Sequence, residues 1–172
     1  MPAGNTFCNR QKHIYSADMD VMTEGEKNMI RRAGIEDAGV LAGLAKQMWT
    51  DNDPEDLEKE FRQLVTNDEA ACFIKYADGR QIGFAQCQLR HDYVEGTVSS
   101  PVGYLEGIFV SEGYRNNGYA AELLSECEKW AKEKGCTEFA GDCELTNTVS
   151  LNFFLSTGFR EENRIICFSK ML

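Results

Sequence analysis

The sequence predicts an α/β domain built around a mixed sheet that is antiparallel in its first half. Segments with strand periodicity and segments with helical periodicity alternate along the chain, in the order β-α-α-β-β-β-α-β-α-β. Residues 77–80 (Ala-Asp-Gly-Arg) lie between two strand-like runs and are typical of a hairpin turn. An apolar strand over residues 103–110 is followed by a long amphipathic helix.

The first quarter of the domain is predicted to hold a short strand and two helices. Residues 29–32 form the strand. Asp53 before Pro54 marks the start of the second helix, because an acidic cap followed by proline is a helix-start pattern. The first helix is expected to end near Trp49, since apolar side chains recur at helical spacing up to that point: Ile35, Val40, Leu41, Leu44, Ala45 and Met48.

The middle of the chain is predicted to carry the hairpin and the longest helix. Residues 71–76 and 81–89 form the two hairpin strands, and residues 90–101 form a loop. The helix is expected to stop before Gly135, which is typical of a helix C-terminus. One face of this helix is apolar: Ala120, Leu123, Leu124, Cys127, Trp130 and Ala131.

The last predicted elements are a strand over residues 137–142, a helix over 148–157 and a closing strand or hairpin over 159–170. Residues 1–28 show no sustained periodicity, and we expect them to be a poorly ordered extension, the result of an upstream translation start or a leader left from an expression vector. A single domain is therefore predicted over residues 29–172.

Composition disfavours two classes of binding partner. The chain has 172 residues, a net charge of −10 and a pI of about 4.7, which disfavours nucleic acid and anionic membrane surfaces but permits a cationic ligand. No apolar run approaches the roughly 20 residues of a membrane span. Without an export signal, we expect a cytoplasmic protein.

Cysteine usage also favours a cytoplasmic protein. The number of cysteines is seven, which is odd, and no pair forms a C-x-x-C, so we expect reduced thiols. The two histidines, His13 and His91, do not stand in ligand spacing with a cysteine pair, so no metal is predicted.

A possible phosphate site follows the apolar strand, where the turn into the long helix reads R-x-x-G-x-A. The start of a helix presents unpaired backbone N–H groups and the positive end of the helix dipole, which together bind phosphate. Gly118 and Ala120 keep the turn small, and Arg115 can add a charged hydrogen bond. The pattern differs from G-x-G-x-x-G and from G-x-x-x-x-G-K-[ST], so a dinucleotide fold and an NTPase are disfavoured.

These residues, in this order of elements, resemble the GNAT superfamily of N-acetyltransferases over residues 29–172. The resemblance implies acetyl-CoA as cosubstrate and a mixed, mostly antiparallel sheet whose central strands splay to admit it. Gly107, in the middle of a strand, is consistent with such an irregularity. The resemblance places CoA-binding positions on the strand, in the turn and at a later asparagine: Ile108, Phe109, Val110, Arg115, Asn116, Asn117, Gly118, Tyr119, Ala120, Ala121 and Asn147.

A narrower resemblance is to the aminoglycoside 6′-N-acetyltransferases, which confer antibiotic resistance by acetylating a cationic sugar amine. The segments that carry it are residues 46–49, 83–85, 90–94, 99–101, 104–110, 147–150 and 158–159. Carried over, the acceptor-side residues are Trp49, Asn52, Tyr93, Glu106, Asp142 and Asn163.

The chemistry of these residues fits a polycation. Trp49 and Tyr93 can offer flat faces to sugar rings and ammonium groups, although Trp49 could also be a core residue and Tyr93 a loop aromatic. Glu106 and Asp142 can pair with amines. The family has an acid where Asn163 stands, and often a histidine at the position of Asn52.

The expected mechanism is direct attack of a neutral amine on the thioester. Glu106 interrupts an apolar strand, where an unpartnered acid is costly, and is the candidate base. The backbone N–H of Val110, or of a neighbouring residue, can polarise the thioester carbonyl, and Asn147 can seat the pantetheine or order a water. Phe154 stands where many GNAT enzymes have a tyrosine acid, so no general acid is predicted.

Two other functions stay open at this point. One is a GNAT enzyme for another amine, such as a polyamine, a small metabolite or a protein N-terminus. The other is a non-catalytic acyl-CoA sensor, which the phenylalanine at position 154 favours slightly. Relatives are often homodimers, and the apolar residues 164–168 suit strand exchange or an ordinary closing strand.

Overall fold

The structure, a computed structural model, describes residues 28–172. Its centre is a five-stranded sheet in the order β1-β2-β3-β4-β5, in which every neighbouring pair is antiparallel except β4 and β5. This mixed sheet confirms the predicted fold class. The strands are β1 (Ile30–Arg32), β2 (Ala70–Ala77), β3 (Arg80–Arg90), β4 (Val102–Val110) and β5 (Phe139–Gly141).

Helices cover both faces of the sheet. They are α1 (Ala38–Ala45), α2 (Pro54–Leu64), α3 (Tyr119–Glu133) and α4 (Thr148–Ser156). Leu41 of α1 and Phe61 of α2 pack on Phe84 at one face, while Leu123 and Cys127 of α3 bury the other. Burial on both faces explains why β2 consists entirely of buried residues.

The start of α2 confirms the helix-start pattern in the sequence. The Oδ1 atom of Asp53 accepts hydrogen bonds from the backbone N–H groups of Glu55 (2.8 Å) and Asp56 (3.4 Å). Pro54 takes the first helical position, where its missing N–H leaves no helical bond unmade.

The splay of the central strands is confirmed as well. β4 pairs with β5 only at Gly103, Tyr104 and Leu105. β5 ends at Gly141, opposite Leu105, so one edge of β4 over residues 106–110 has no strand partner among the described residues. That open edge is the feature around which the candidate site is built.

Two predicted boundaries were wrong. α1 ends at Ala45 rather than near Trp49, because the chain leaves the helix in a turn. The Nζ atom of Lys46 closes this turn by donating to the backbone oxygens of Thr50 (2.6 Å) and Asn52 (2.8 Å). β5 is also shorter than the predicted strand over residues 137–142, because only residues 139–141 pair with β4.

The predicted closing strand is absent from the described residues, since residues 159–172 form no helix or strand. Ile166 and Phe168 are 80% and 91% exposed. A strand exists only where a neighbour completes its ladder of hydrogen bonds, and this segment meets no such neighbour within the described chain.

The prediction of a poorly ordered leader over residues 1–28 lies, except for Asn28, outside the described residues. Within residues 28–172, no helix combines the length and the apolar character that crossing a membrane requires. The six cysteines in this range are free thiols, four of them buried.

Candidate active site

A β-bulge in β4 presents Glu106. Gln86 of β3 pairs with Gly107, and the next residue, Cys87, pairs with Leu105, so Glu106 is an extra residue in the ladder. Leu105 and Val110 consequently pack into the same core cluster although an odd number of positions separates them. The bulge interrupts the alternation of the strand and turns the Glu106 side chain out of the apolar core, where it is 20% exposed.

Glu106 is partnered, and all of its donors reach the same oxygen. Oε1 accepts from Gln88 Nε2 (2.5 Å), from Arg90 Nε (3.1 Å) and from Arg90 Nη2 (2.8 Å). Burial by itself would lower the pKa of Arg90, but the hydrogen bond to Glu106 and the surrounding negative charge raise it above its ordinary value. The guanidinium is therefore a permanent cation beside the carboxylate.

Tyr104 links Glu106 to the second predicted acid. The Arg90 guanidinium stacks 3.5 Å from the centre of the Tyr104 ring, and the Tyr104 hydroxyl donates to Asp142 Oδ1 (2.8 Å). Burial and this hydrogen bond raise the pKa of Tyr104 well above its ordinary value, so the phenol stays protonated as a donor. Glu106 and Asp142 thus belong to one connected cluster of side chains.

Trp49 and Asn52 share the turn after α1. Trp49 is half-buried, and its ring lies edge-on to Phe84 with the two centroids 6.2 Å apart. A Cβ on Gly107 would lie 3.2 Å from Trp49 Cζ2, so the absence of a side chain on Gly107 lets the indole pack next to the bulge. Asn52 is exposed, and its backbone N–H donates to the Trp49 oxygen (3.2 Å).

Tyr93 and Asn163 meet at an acid that the sequence analysis did not select. The Tyr93 hydroxyl donates to Glu95 Oε2 (2.9 Å), and Asn163 Nδ2 donates to Glu95 Oε1 (3.3 Å). Tyr93 is 79% exposed, and its hydrogen bond to Glu95 raises its pKa. Tyr93, Glu95 and Asn163 have no hydrogen bond to the Glu106 cluster in the described chain. The predicted acceptor-side residues therefore lie in three groups: Trp49 with Asn52, Glu106 with Asp142, and Tyr93 with Asn163.

The turn before α3 has the geometry of an anion site. Gly118 has a φ of 81°, in the left-handed region that favours glycine. The first helical hydrogen bond runs from Glu122 N–H to the Gly118 oxygen (3.1 Å), so the amides of residues 119–121 have no partner within the helix, and no side chain caps it. Arg115 points back to the strand, where its Nε donates to the Val110 oxygen (2.9 Å).

The other residues predicted to bind CoA lie on the open edge of β4 and in the turn before α3. Ile108, Phe109 and Val110 lie on the part of β4 that has no partner on the β5 side. Asn116 has a φ of 63°, and Asn117 Nδ2 donates to the backbone oxygens of Tyr114 and Arg115 (both 3.1 Å), which holds the turn closed.

A profile of the acetyltransferase (GNAT) family matches residues 40–159. The chain belongs to this family. The match spans the open edge of β4 and the start of α3, and it confirms the resemblance carried by the R-x-x-G-x-A turn.

Curated relatives and solved structures indicate a narrower group within the GNAT family. This GNAT protein is 41% identical over 128 residues to the aminoglycoside N(6′)-acetyltransferase type 1 of Salmonella typhimurium, and the match covers 74% of this chain and 88% of the relative. Its structure matches that of AAC(6′)-Iy in complex with the bisubstrate analog CoA-S-monomethyl-acetylneamine, with a TM-score of 0.81, 37% identity and coverage of 84% and 99% of the two chains. AAC(6′)-Ih from Acinetobacter baumannii matches with a TM-score of 0.79, 35% identity and the same coverage.

Two residues of this GNAT domain that the sequence analysis discussed, Asn147 and Phe154, make structural contacts. Asn147 caps α4, since its Oδ1 accepts from the Ser150 N–H (3.0 Å). Phe154 packs against Phe159, with ring centroids 5.0 Å apart, and would lie 3.0 Å from a Cβ on Gly141. The ring fills space between α4 and β5 and offers no proton.

Sequence reasoning missed Gln88, Arg90, Tyr104 and Glu95 as members of the site. The first two could have been found, because polar residues at every second position near the end of β3 mark one face of a strand. Tyr104 looks like one more apolar residue of its strand. Among residues 28–172, no group of three or more His, Cys, Asp or Glu side chains is arranged to hold a metal ion.

Proposed function

We propose that this protein is an aminoglycoside 6′-N-acetyltransferase, which transfers the acetyl group of acetyl-CoA to the 6′-amine of aminoglycoside antibiotics and so confers resistance. The observation that carries the proposal is the position of Glu106. The carboxylate stands on a bulge at the point where β4 and β5 separate, on the same strand that leads to the open amides of α3. The relatives that share this architecture are aminoglycoside acetyltransferases by name.

CoA is bound along the open edge and the helix start. The pantetheine arm pairs with backbone groups of Ile108–Val110, and the pyrophosphate is held by the amides of residues 116–121, where the helix dipole favours an anion. Arg115 retains free guanidinium N–H groups beyond the one that holds Val110, and these can contact a phosphate. Asn147 keeps its amide N–H groups available for the pantetheine while its oxygen caps α4.

The acceptor is bound as a polycation. Asp142 and Glu106 supply negative charge, and the rings of Trp49 and Tyr93 supply faces for sugars and ammonium groups. A net charge of −10 steers a cationic substrate towards the protein. Asn52 and Asn163 border these groups, and Glu95 adds a carboxylate next to Asn163 where the family places an acid.

In the reaction, Glu106 takes the proton of the 6′-ammonium, directly or through a water, and leaves a neutral amine. The amine nitrogen attacks the thioester carbonyl, and the backbone N–H of Val110 stabilises the developing oxyanion. After attack the nitrogen carries one proton too many, and it loses this proton to water as the C–S bond breaks and the neutral amide forms. Glu106 then returns its own proton to solvent. Because Phe154 provides no acid, the CoA sulfur leaves as a thiolate, which is a weak base.

We infer a single catalytic domain, a cytoplasmic location and a homodimeric assembly. A single catalytic domain over residues 29–172 fits the continuous sheet. Free thiols at all six described cysteines fit a reducing cytoplasm. The exposed Ile166 and Phe168 fit a homodimer in which residues 164–168 pair with a second copy.

Turnover with matched acceptors tests the function. Neomycin and paromomycin differ in carrying an amine or a hydroxyl at position 6′, so free thiol release from acetyl-CoA is expected with neomycin and not with paromomycin. Equal rates with both would contradict 6′ transfer. Faster turnover of spermidine would favour the polyamine alternative, and CoA binding without turnover of any amine would favour the sensor.

Sedimentation tests the dimer. The double substitution Ile166→Glu and Phe168→Glu changes side chains that contact little of their own chain, so it is expected to convert a dimer into a folded monomer. A wild-type protein that sediments as a monomer would refute the assembly and leave the catalytic proposal intact.

A further inference from the structure

The guanidinium of Arg90 occupies the space between Glu106 and the ring of Tyr104. Arg90 is the last residue of β3 and stands opposite Val102 in the ladder. Its Nε and Nη2 atoms both contact Glu106 Oε1, at 3.1 and 2.8 Å. None of the roles discussed so far for CoA, the acceptor or proton transfer uses this side chain.

The two carboxylate oxygens of Glu106 differ in the hydrogen bonds that they accept. Oε1 accepts three hydrogen bonds, two from Arg90 and one from Gln88, whereas Oε2 accepts none from residues 28–172. The terminal torsion of a glutamate is broad when nothing holds it. Three donors on one oxygen restrict that rotation, so the other oxygen is the one left for a ligand.

The position of Arg90 is in turn restricted by Tyr104 and Asp142. Its guanidinium stacks 3.5 Å above the Tyr104 ring, and Asp142 fixes that ring through the hydroxyl (2.8 Å). A planar guanidinium can stack and donate at the same time, which a lysine ammonium does poorly. The order of contacts therefore runs from Asp142 through Tyr104 and Arg90 to Glu106.

The ion pair is only partly exposed, since the side chains of Arg90 and Glu106 are 36% and 20% exposed. It offsets the cost of a largely buried carboxylate in an apolar strand. Because its contacts all fall on one oxygen, it also sets the direction of the other.

We propose that Arg90 is a positioning residue that holds Glu106 so that Oε2 is presented to the acceptor amine. The inference rests on the proposed function, since it requires Glu106 to act on an amine. Arg90 itself does not contact the reacting atoms. It acts through Glu106, and its effect should vanish when Glu106 can no longer take a proton.

A double-mutant cycle tests the proposal. Arg90→Met is expected to lower kcat for neomycin by about 10-fold, the size found when orienting partners of reactive groups are removed. The KM for acetyl-CoA should not change, because the CoA loop lies at the other end of β4. In the Glu106→Gln background, Arg90→Met should cause no further loss. Arg90→Lys should recover only part of the rate.

Arg62→Met is the matched control, because it breaks an ion pair of 2.6 Å with Glu58 on α2, away from the site. It should leave kcat unchanged. A wild-type kcat in Arg90→Met would overturn the positioning role, and so would a full 10-fold loss in the Glu106→Gln background, with or without a lower Tm. If wild-type protein showed no turnover, the proposed function would fail first and this inference with it.

Discussion

Glu106→Gln is expected to lower kcat by about 100-fold or more, because the variant keeps the shape of the side chain and loses its ability to take a proton. The amide oxygen can still accept the hydrogen bonds of Gln88 and Arg90, so the bulge and the cluster should persist. The measurement is steady-state release of CoA thiol with neomycin at saturating acetyl-CoA. An unchanged Tm should accompany the loss.

Glu133→Gln is the control for the lost charge. Glu133 ends α3 on the exposed surface, so its substitution makes the same change in net charge at a distance from the site. Its kcat should equal that of the wild-type protein. A Glu106→Gln variant with nearly wild-type kcat would remove Glu106 from the role of base and shift attention to a water or to Asp142.

Gly118→Val is expected to weaken CoA binding by about 10-fold, which corresponds to about 1.4 kcal/mol. Gly118 has a φ of 81°, and a β-branched residue is strained there by about 1–3 kcal/mol. Among residues 28–172, no atom lies within 4 Å of the added Cβ, so the strain is conformational. If the backbone relaxes to relieve this strain, the amides of residues 119–121 should turn away from the pyrophosphate. Calorimetry with CoA measures this without any acceptor.

The other end of the same helix supplies a control for strain. Gly135 has a φ of 89°, and a Cβ there would also meet no atom of the described chain within 4 Å. Gly135→Val should therefore lower Tm about as much as Gly118→Val while CoA affinity stays unchanged. If both variants lost CoA affinity equally, general destabilisation of α3 would explain the effect and the loop would not be the phosphate site.

Several site residues could be predicted because their chemistry is local. The R-x-x-G-x-A turn indicates an anion site, since a helix start exposes amides whatever surrounds it. Asp53 and Pro54 located α2 for the same reason. Glu106 could be selected because an acid inside an apolar strand requires a partner or a purpose.

Partners across the sheet could not be predicted in the same way. Arg90 precedes Glu106 by sixteen positions, and the two meet only because β3 and β4 are antiparallel and a bulge changes their register. Tyr104 looks apolar in sequence and proves to be a stacking platform with a hydrogen-bonded hydroxyl. The predicted closing strand over residues 159–170 failed because strand periodicity does not reveal whether a neighbour is present.

The sequence by itself determined the order of the elements up to α4, the family and the short-range features, because periodicity, caps and turns depend on residues a few positions apart. Only the tertiary structure decided which oxygen of Glu106 is held, how Asp142 is joined to it through Tyr104 and Arg90, and where β4 stands open. Those properties depend on strand register and on contacts between distant segments, where a shift of one residue would send each side chain to the opposite face.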